Sequence, residues 1–477
     1  MIGRKGAGKT ALYLALQEEA NNEGSRCWAL AFKQYPWATH ARYAHNEVSA
    51  QEKFVASWTF LIYVELFQTL IEDPLRTWER HENRALGEVR DFLINNYGST
   101  QFGFKEAFPA GGVRLKGGGA RLGGGPASAD ATWERASESL GATLERINNW
   151  LQAKYEIVAR NTGRIFILFD ELDQGFDPKD ENYVQRVVGL LVAVRSFTRM
   201  VKQAGGDVHA VAFLRTDIFD ELHFGDKNKI YNAEVLELVW NDDLDYHDAS
   251  LKQLIDHRIA ESMGLSDETL NPWSFAFDPQ VMVGTQHKFR HMTFRSFLRP
   301  RDVIHFANLA LRKARQRIAA GQGPSLIKNE DVSAARPAYS NYFYLELDDE
   351  IGEADADWRN YLEVLKELRK DKFTSSEFAS AFTNVRSKVT ISKASNETLS
   401  FLYRYSIIGF ERAVTGRGRF HQFKYEAPTV LFDPDADSFM VHRALQEELG
   451  ITKVAIPEAV GAPQLPWFDE EGLEEDQ

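Results

Sequence analysis

The sequence predicts an α/β fold: a parallel sheet with helices on both faces, followed by a helical lid and a C-terminal winged-helix-like domain. Three observations predict it. A glycine-rich run at 3–10 opens directly into a helical stretch, and apolar runs of strand length alternate with helical patterns to about residue 240. Beyond 241 helical periodicity dominates until a basic hairpin near residue 416. Strands separated by helices need crossover connections, which cover both faces of a parallel sheet.

In order along the chain, residues 8–21 read as a helix and 27–32 (CWALAF) as a short buried strand. Helices are expected over 50–72 and 84–96. Residues 97–130, centred on GGVRLKGGGARLGGG, are too rich in glycine for a regular element and read as a flexible insertion. A helix follows over 131–159, then the clearest strand of the chain at 164–169 (RIFILF), a helix over 181–203, and strands at 208–214 and 233–239. A strong helix covers 301–319, where Val303, Ile304, Ala307, Leu311 and Ala314 share a face. The domains expected are a core at 1–240, a lid at 241–335, a winged-helix-like domain at 336–450 and an acidic tail at 451–477, which ends in the run DEEGLEED.

Composition narrows the setting. A chain of 477 residues exceeds a single core, and 44% hydrophobic with 26% charged residues is ordinary globular composition. No apolar run reaches bilayer length, so no membrane partner is expected. The single cysteine, Cys27, excludes an intrachain disulfide and points to the cytoplasm. A net charge of −13 argues against a surface coated in nucleic acid.

The chemistry begins at Gly3, Arg4, Lys5, Gly6, Ala7, Gly8, Lys9, Thr10, which match G-x-x-x-x-G-K-[ST] at every fixed position and run into Ala11. Glycines let backbone N–H groups curl around a phosphate, and the following helix aims its positive dipole end at the same point. Lys9 would reach the β- and γ-phosphates and the Thr10 hydroxyl would hold Mg²⁺. A chance match in a glycine turn is the competing reading. Only Met1 and Ile2 precede the loop, where a buried strand is expected, so the sequence suggests N-terminal truncation.

The strand at 165–169 ends in Asp170 and Glu171. Asp170 is placed to bind Mg²⁺, and Glu171 to orient and deprotonate a water. A strand merely capped by solvated acids is the alternative. Such an adjacent carboxylate fits ATP better than GTP, and Asn228-Lys229 lacks the aspartate that would read guanine. After the next strand come Arg215, Thr216 and Asp217, where Thr216 or Arg215 could sense a γ-phosphate; a helix N-cap explains Thr216 or Asp217 equally well. Arg299-Pro300-Arg301-Asp302 opens the helix at 301–319, and Arg301, rather than Arg299, is the candidate to swing over the nucleotide.

Taken together, GRKGAGKT, IFILFDELD, FLRTD and LRPRDVI resemble bacterial P-loop ATPases related to the STAND, KAP and origin-recognition-like AAA+ proteins. Phe32–Trp37 (FKQYPW) and Tyr405–Gly409 (YSIIG) are similar to a poorly characterised branch of that group. The resemblance implies a P-loop NTPase sheet, a helical lid and a winged helix, acting as a nucleotide-controlled switch in defence or signalling. It also implies homo-oligomers, with an arginine supplied by a neighbouring subunit.

Near the C-terminus, Thr374-Ser375-Ser376-Glu377 forms a capping box, residues 399–405 suggest another helix, and 407–425 read as a hairpin with its tip at 416–418. Arg412, Arg417, Arg419 and Lys424, interleaved with Phe420 and Tyr425, could meet nucleic-acid phosphates; the competing reading is a solvated hairpin that contacts a protein partner. Arg114, Lys116 and Arg121 share that ambiguity with a plain linker. The main expectation is an Mg²⁺-dependent ATPase switch. Its alternatives are a DNA-binding AAA+ ATPase and a nucleotide-binding scaffold with little turnover.

Overall fold

The computed structural model describes the chain except residues 24, 32–39, 45–47, 50–51, 74–75, 104–105, 109–112, 114–139, 174–179, 241–249, 267–270, 283–285, 353–354, 415–417 and 452–477. The motif at 32–37, the basic residues Arg114, Lys116 and Arg121, the hairpin-tip residues Gly416 and Arg417, and the acidic run near the end lie outside the described residues. The chain forms two compact units, Met1–Leu238 and Val239–Gln477.

In the first unit the elements are β1 (Ile2–Gly3), α1 (Lys9–Asn22), β2 (Arg26–Ala31), α2 (Val55–Ile71), α3 (Arg80–Tyr97), α4 (Leu140–Val158), β3 (Arg164–Asp170), α5 (Glu181–Ala204), β4 (Asp207–Ala212), β5 (Leu214–Arg215), α6 (Thr216–Glu221) and α7 (Lys227–Glu234). Strands β2, β3 and β4 run parallel, with Phe166 opposite Cys27 on one side and His209 on the other. The strand expected at 208–214 breaks at Phe213 and changes partner. Phe213 N–H still donates to Phe169 O at 2.8 Å, whereas Leu214 N–H donates to Met1 O at 3.0 Å.

β1 is only two residues long, yet it is bonded on both sides. Ile2 pairs with Leu214 and Gly3 with Arg215. On the other side Ile2 N–H donates to Leu236 O at 2.9 Å, and Leu238 N–H donates to Ile2 O at 2.8 Å. The lateral order is therefore β2, β3, β4–β5, β1 and the segment 236–238, all parallel. The strand expected at 233–239 is correspondingly shorter. Helix α7, seated on buried Ile230, holds Ala233 and Glu234, and only the residues beyond can turn to the sheet.

Both faces of β3 are covered, which is why it reads as an unbroken apolar run. Tyr13 of α1 packs with Leu168 and Phe213 on one face. On the other face Ile165, Ile167 and Phe169 join the main core with α2, which is apolar nearly all round, and Trp58 Nε1 of α2 donates to Arg186 O of α5 at 2.8 Å. The start of the expected flexible insertion is packed: Phe108 is buried against His40, with rings stacked at 4.7 Å. The helix expected from residue 131 is described from Leu140 onward.

The second unit contains α8 (Ser250–Met263), α9 (Trp273–Ala276), α10 (Lys288–Thr293), α11 (Pro300–Ala319), α12 (Asn329–Ile351), α13 (Trp358–Leu368), β6 (Lys372–Phe373), α14 (Ser375–Arg386), α15 (Ser395–Arg404), β7 (Ile408–Val414), β8 (Gly418–Gln422) and β9 (Phe439–Val441). The lid boundary expected at 335/336 falls inside α12, so the two sequence-defined parts are not separate domains. Val332, Ala335, Tyr339, Phe343, Leu347 and Ile351 make one buried stripe along α12, and it joins Phe306 on one side to Trp358, Leu399 and Phe439 on the other. Pro337 faces outward and does not interrupt the stripe. The hairpin β7–β8 is extended by β9 and β6 into an antiparallel sheet of order β6-β9-β7-β8.

Candidate functional site

Sheet geometry gathers the predicted residues at one edge. The carboxyl ends of β1, β3 and β5 lead into residues 3–10, Asp170–Glu171 and Thr216 respectively. In parallel α/β sheets this edge is where ligands bind.

The loop between β1 and α1 depends on its glycines. Gly6 and Gly8 have φ of 80° and 101°, a region that side chains resist. At Gly3 a Cβ would lie 3.3 Å from the Leu238 Cβ and 3.4 Å from the Ala7 Cβ, so the loop closes tightly on the strand segment at 236–238. Ala7 N–H donates to Arg4 O at 3.1 Å. Gly8 caps α1 without a side-chain hydrogen bond, so the first-turn N–H groups receive no acceptor from the capping residue. Arg4 and Lys5 are half-buried; Thr10 and Ala11 are exposed on the first turn.

The Lys9 ammonium bends back over this loop, donating to Gly3 O at 2.8 Å and Arg4 O at 3.1 Å. Burial pulls its pKa down to about 8, partly opposed by Asp173, Asp217 and Asp170 and reinforced by Arg215. Among these charges Asp173 acts most strongly. It also lies 3.6 Å from Arg215, whose guanidinium grips Asp217 with bonds of 3.0 and 2.5 Å. A chain of alternating charges thus runs Lys9, Asp173, Arg215, Asp217. The sequence reading did not single out Asp173 or give Asp217 a role in charge balance. The signal was present in Asp170-Glu171-Leu172-Asp173, where the second aspartate follows the strand by three residues.

Asp170 is buried at the strand end, with 3% of its surface exposed. Glu171 has a φ of 60°, a left-handed conformation unfavourable for a residue with a β-carbon. Such strain costs of the order of 1–3 kcal/mol and collects at functional sites. The strained turn leaves Glu171 Oε2 buried with no hydrogen-bond partner. Thr216 Oγ1 is buried and unpartnered in the same way, so Thr216 does not serve as the N-cap that its position would suit; Arg215 is the capping residue of α6. Buried polar atoms normally find partners, so two orphans at one sheet edge stand out.

Among the described residues no group of three or more His, Cys, Asp or Glu could hold a metal. Mg²⁺, however, takes one or two protein oxygens and fills its remaining positions with water and phosphate. Thr10 and Asp170 offer that minimal set.

The other candidates sort differently. Arg299 is buried, donating from Nε to Asp302 Oδ2 at 2.9 Å and from Nη1 to Glu350. Arg301, two residues on, is half-exposed and, among the described residues, donates to Glu346 Oε2 at 3.1 Å. Within the second unit Arg299 is committed to the fold and Arg301 is not. On the hairpin, Arg419 bridges Glu411 at 3.3 Å and Asp437 at 2.7 Å, and Lys424 donates to Pro428 O and Val430 O. Arg412 is exposed.

Comparison with known proteins adds one finding. Residues 249–348, from α8 through most of α12, match a family model described as the FunZ-associated C-terminal helical domain. No curated protein and no solved structure matches the chain. Among the described residues no helix is long and apolar enough to cross a membrane.

Proposed function

We propose that this chain binds and hydrolyses ATP with Mg²⁺ as a P-loop switch, and that nucleotide occupancy controls a surface of the second unit. One observation carries the reading. A glycine loop with a uniquely placed lysine shares a sheet edge with a buried aspartate and a strained glutamate whose outer oxygen has no partner.

Each residue has a separable task. The N–H groups around Gly6 and Gly8 would receive the β-phosphate, and Lys9 would exchange its two carbonyl partners for the β- and γ-phosphates. Thr10 and Asp170 hold Mg²⁺, which supplies charge neutralisation when bound. Glu171 Oε2 accepts a proton from the attacking water, and Thr216 Oγ1 donates to a γ-phosphate oxygen or to that water. Arg301 remains available to couple hydrolysis to the second unit because its side chain is not locked into the core. The role in defence or signalling and the homo-oligomer rest on the resemblance to the STAND, KAP and origin-recognition-like group, and the cytoplasmic setting rests on the single cysteine, Cys27.

A protein partner for the C-terminal region is favoured over nucleic acid. Two of the three described hairpin cations are engaged by their own chain, and an ion pair must be broken before a phosphate can replace it. The test compares wild type, Lys9→Ala and Glu171→Gln for ATP binding and phosphate release. Lys9→Ala is expected to lose binding, and Glu171→Gln to bind ATP but release phosphate 10²–10⁴-fold more slowly, about the worth of a general base. Equal turnover by wild type and Glu171→Gln would leave a nucleotide-binding scaffold and remove the enzyme assignment.

A further inference from the structure

A concentration of arginines sits in the second unit, outside the glycine-loop site described above. It is built from α10 and its following turn, α12, and the segment after β9. Arg295 is 2% exposed, its Nε has no hydrogen-bond partner, and its Nη1 reaches only His291, at 3.3 Å from the carbonyl and 3.4 Å from the ring. No carboxylate lies within 4.0 Å of Arg295 or of Arg443 among the described residues. Arg443 stacks over the Phe294 ring at 5.0 Å, and Arg290 lies over the same ring at 5.0 Å. Arg336, a third exposed, reaches Glu447 at 3.3 Å.

The charges do not balance. Burial pulls the Arg295 guanidinium down to about 10; Glu447 opposes this, while Arg443 and Arg336 reinforce it. Burial also lowers the Arg443 guanidinium, opposed by Tyr425, Asp371 and Glu426, and burial pushes Glu426 itself up to about 7. A buried guanidinium without a hydrogen-bonded anion costs several kcal/mol. Guanidinium groups laid flat on an aromatic ring keep their N–H edges free for oxyanions, and arginine recognises phosphate oxygens in pairs.

We propose that Arg295, Arg336 and Arg443 form a binding site for a small phosphoryl-type oxyanion, with Arg295 as its floor and Arg336 as its rim. The near-complete burial of Arg295 favours a free small anion over a polymer backbone, which could not reach the floor without opening the unit. The site is independent of the glycine loop and does not rest on the ATPase reading.

The experiment uses the full chain carrying Lys9→Ala, which removes the loop lysine, and follows thermal unfolding against inorganic pyrophosphate. Pyrophosphate is expected to raise the midpoint in a saturable way. Arg336→Gln, at the rim, is expected to weaken apparent affinity about tenfold, the worth of one charge-assisted bond. Arg295→Met is expected to abolish the response, with a midpoint without pyrophosphate equal to or above that of its parent. The proposal falls if the Lys9→Ala chain does not respond, if both variants respond like their parent, or if duplex DNA stabilises the chain and pyrophosphate does not.

Discussion

The carboxyl edge of the parallel sheet and the entrance to α11 use the same residue types to opposite ends. At the sheet edge Glu171 is held in a left-handed conformation with an unpartnered oxygen, and the Lys9 ammonium donates to two backbone carbonyls. At the α11 entrance Arg299 is clamped between Asp302 and Glu350, which are nearly as buried as it is. The first arrangement keeps polar atoms available at a cost in stability; the second consumes them to fix a helix start. A charged motif therefore says little until its partners are known, and partner count is what separates a site from a brace.

The largest effect that would sharpen this contrast is on stability. Removing one member of a buried ion pair strands the other, so Arg299→Ala should destabilise the second unit by about 3–5 kcal/mol in urea unfolding. A loss below about 1 kcal/mol, the range of surface pairs, would erase the distinction. Glu171→Gly should act the other way. It relieves the positive φ and should stabilise the first unit by about 1 kcal/mol while phosphate release falls with the missing base. If Glu171→Gly proves destabilising, the strain at this position is compensated and the comparison loses one side.

A smaller effect is expected from pH. Burial has lowered the Lys9 pKa, so the ammonium form is disfavoured in the folded chain. The folded state binds fewer protons than the unfolded state above about pH 8, and this residue's contribution to stability rises with pH up to the ordinary lysine range. Nucleotide phosphates need the ammonium, so ATP affinity should fall as pH rises through about 8. Calorimetry in buffers of different ionisation enthalpy would detect proton uptake on binding at the upper end of that range; its absence would show that Lys9 stays charged throughout. The smallest effect is expected at Arg419, where replacement by glutamine should leave the unfolding midpoint unresolved from wild type because Arg419 and its nearer partner Asp437 are solvent-exposed. A clear drop would make the hairpin a brace of the second unit.

Much of the fold was legible in the chain. The helices at 9–22, 181–204 and 300–319 and the strand at 164–170 follow from unbroken periodicity and marked ends, and they fall within a residue or so of where the sequence put them. The misread parts are short or interrupted. Residues 236–238 and β9 are too brief for a periodic signal, and α12 runs through Pro337, a residue that usually ends a helix.

By itself the sequence determined which residues belong together chemically: the glycine loop, Lys9 and Thr10, then Asp170 with Glu171, because local backbone rules and strand ends fix those groupings within a few residues. Tertiary structure decided what only distant segments can supply. It paired two-residue β1 with segments over two hundred positions away, brought Asp173 and Arg215 to Lys9, and chose Arg299 rather than Arg301 for burial. Burial and countercharge are properties of the neighbours, and those neighbours meet only when the chain is folded.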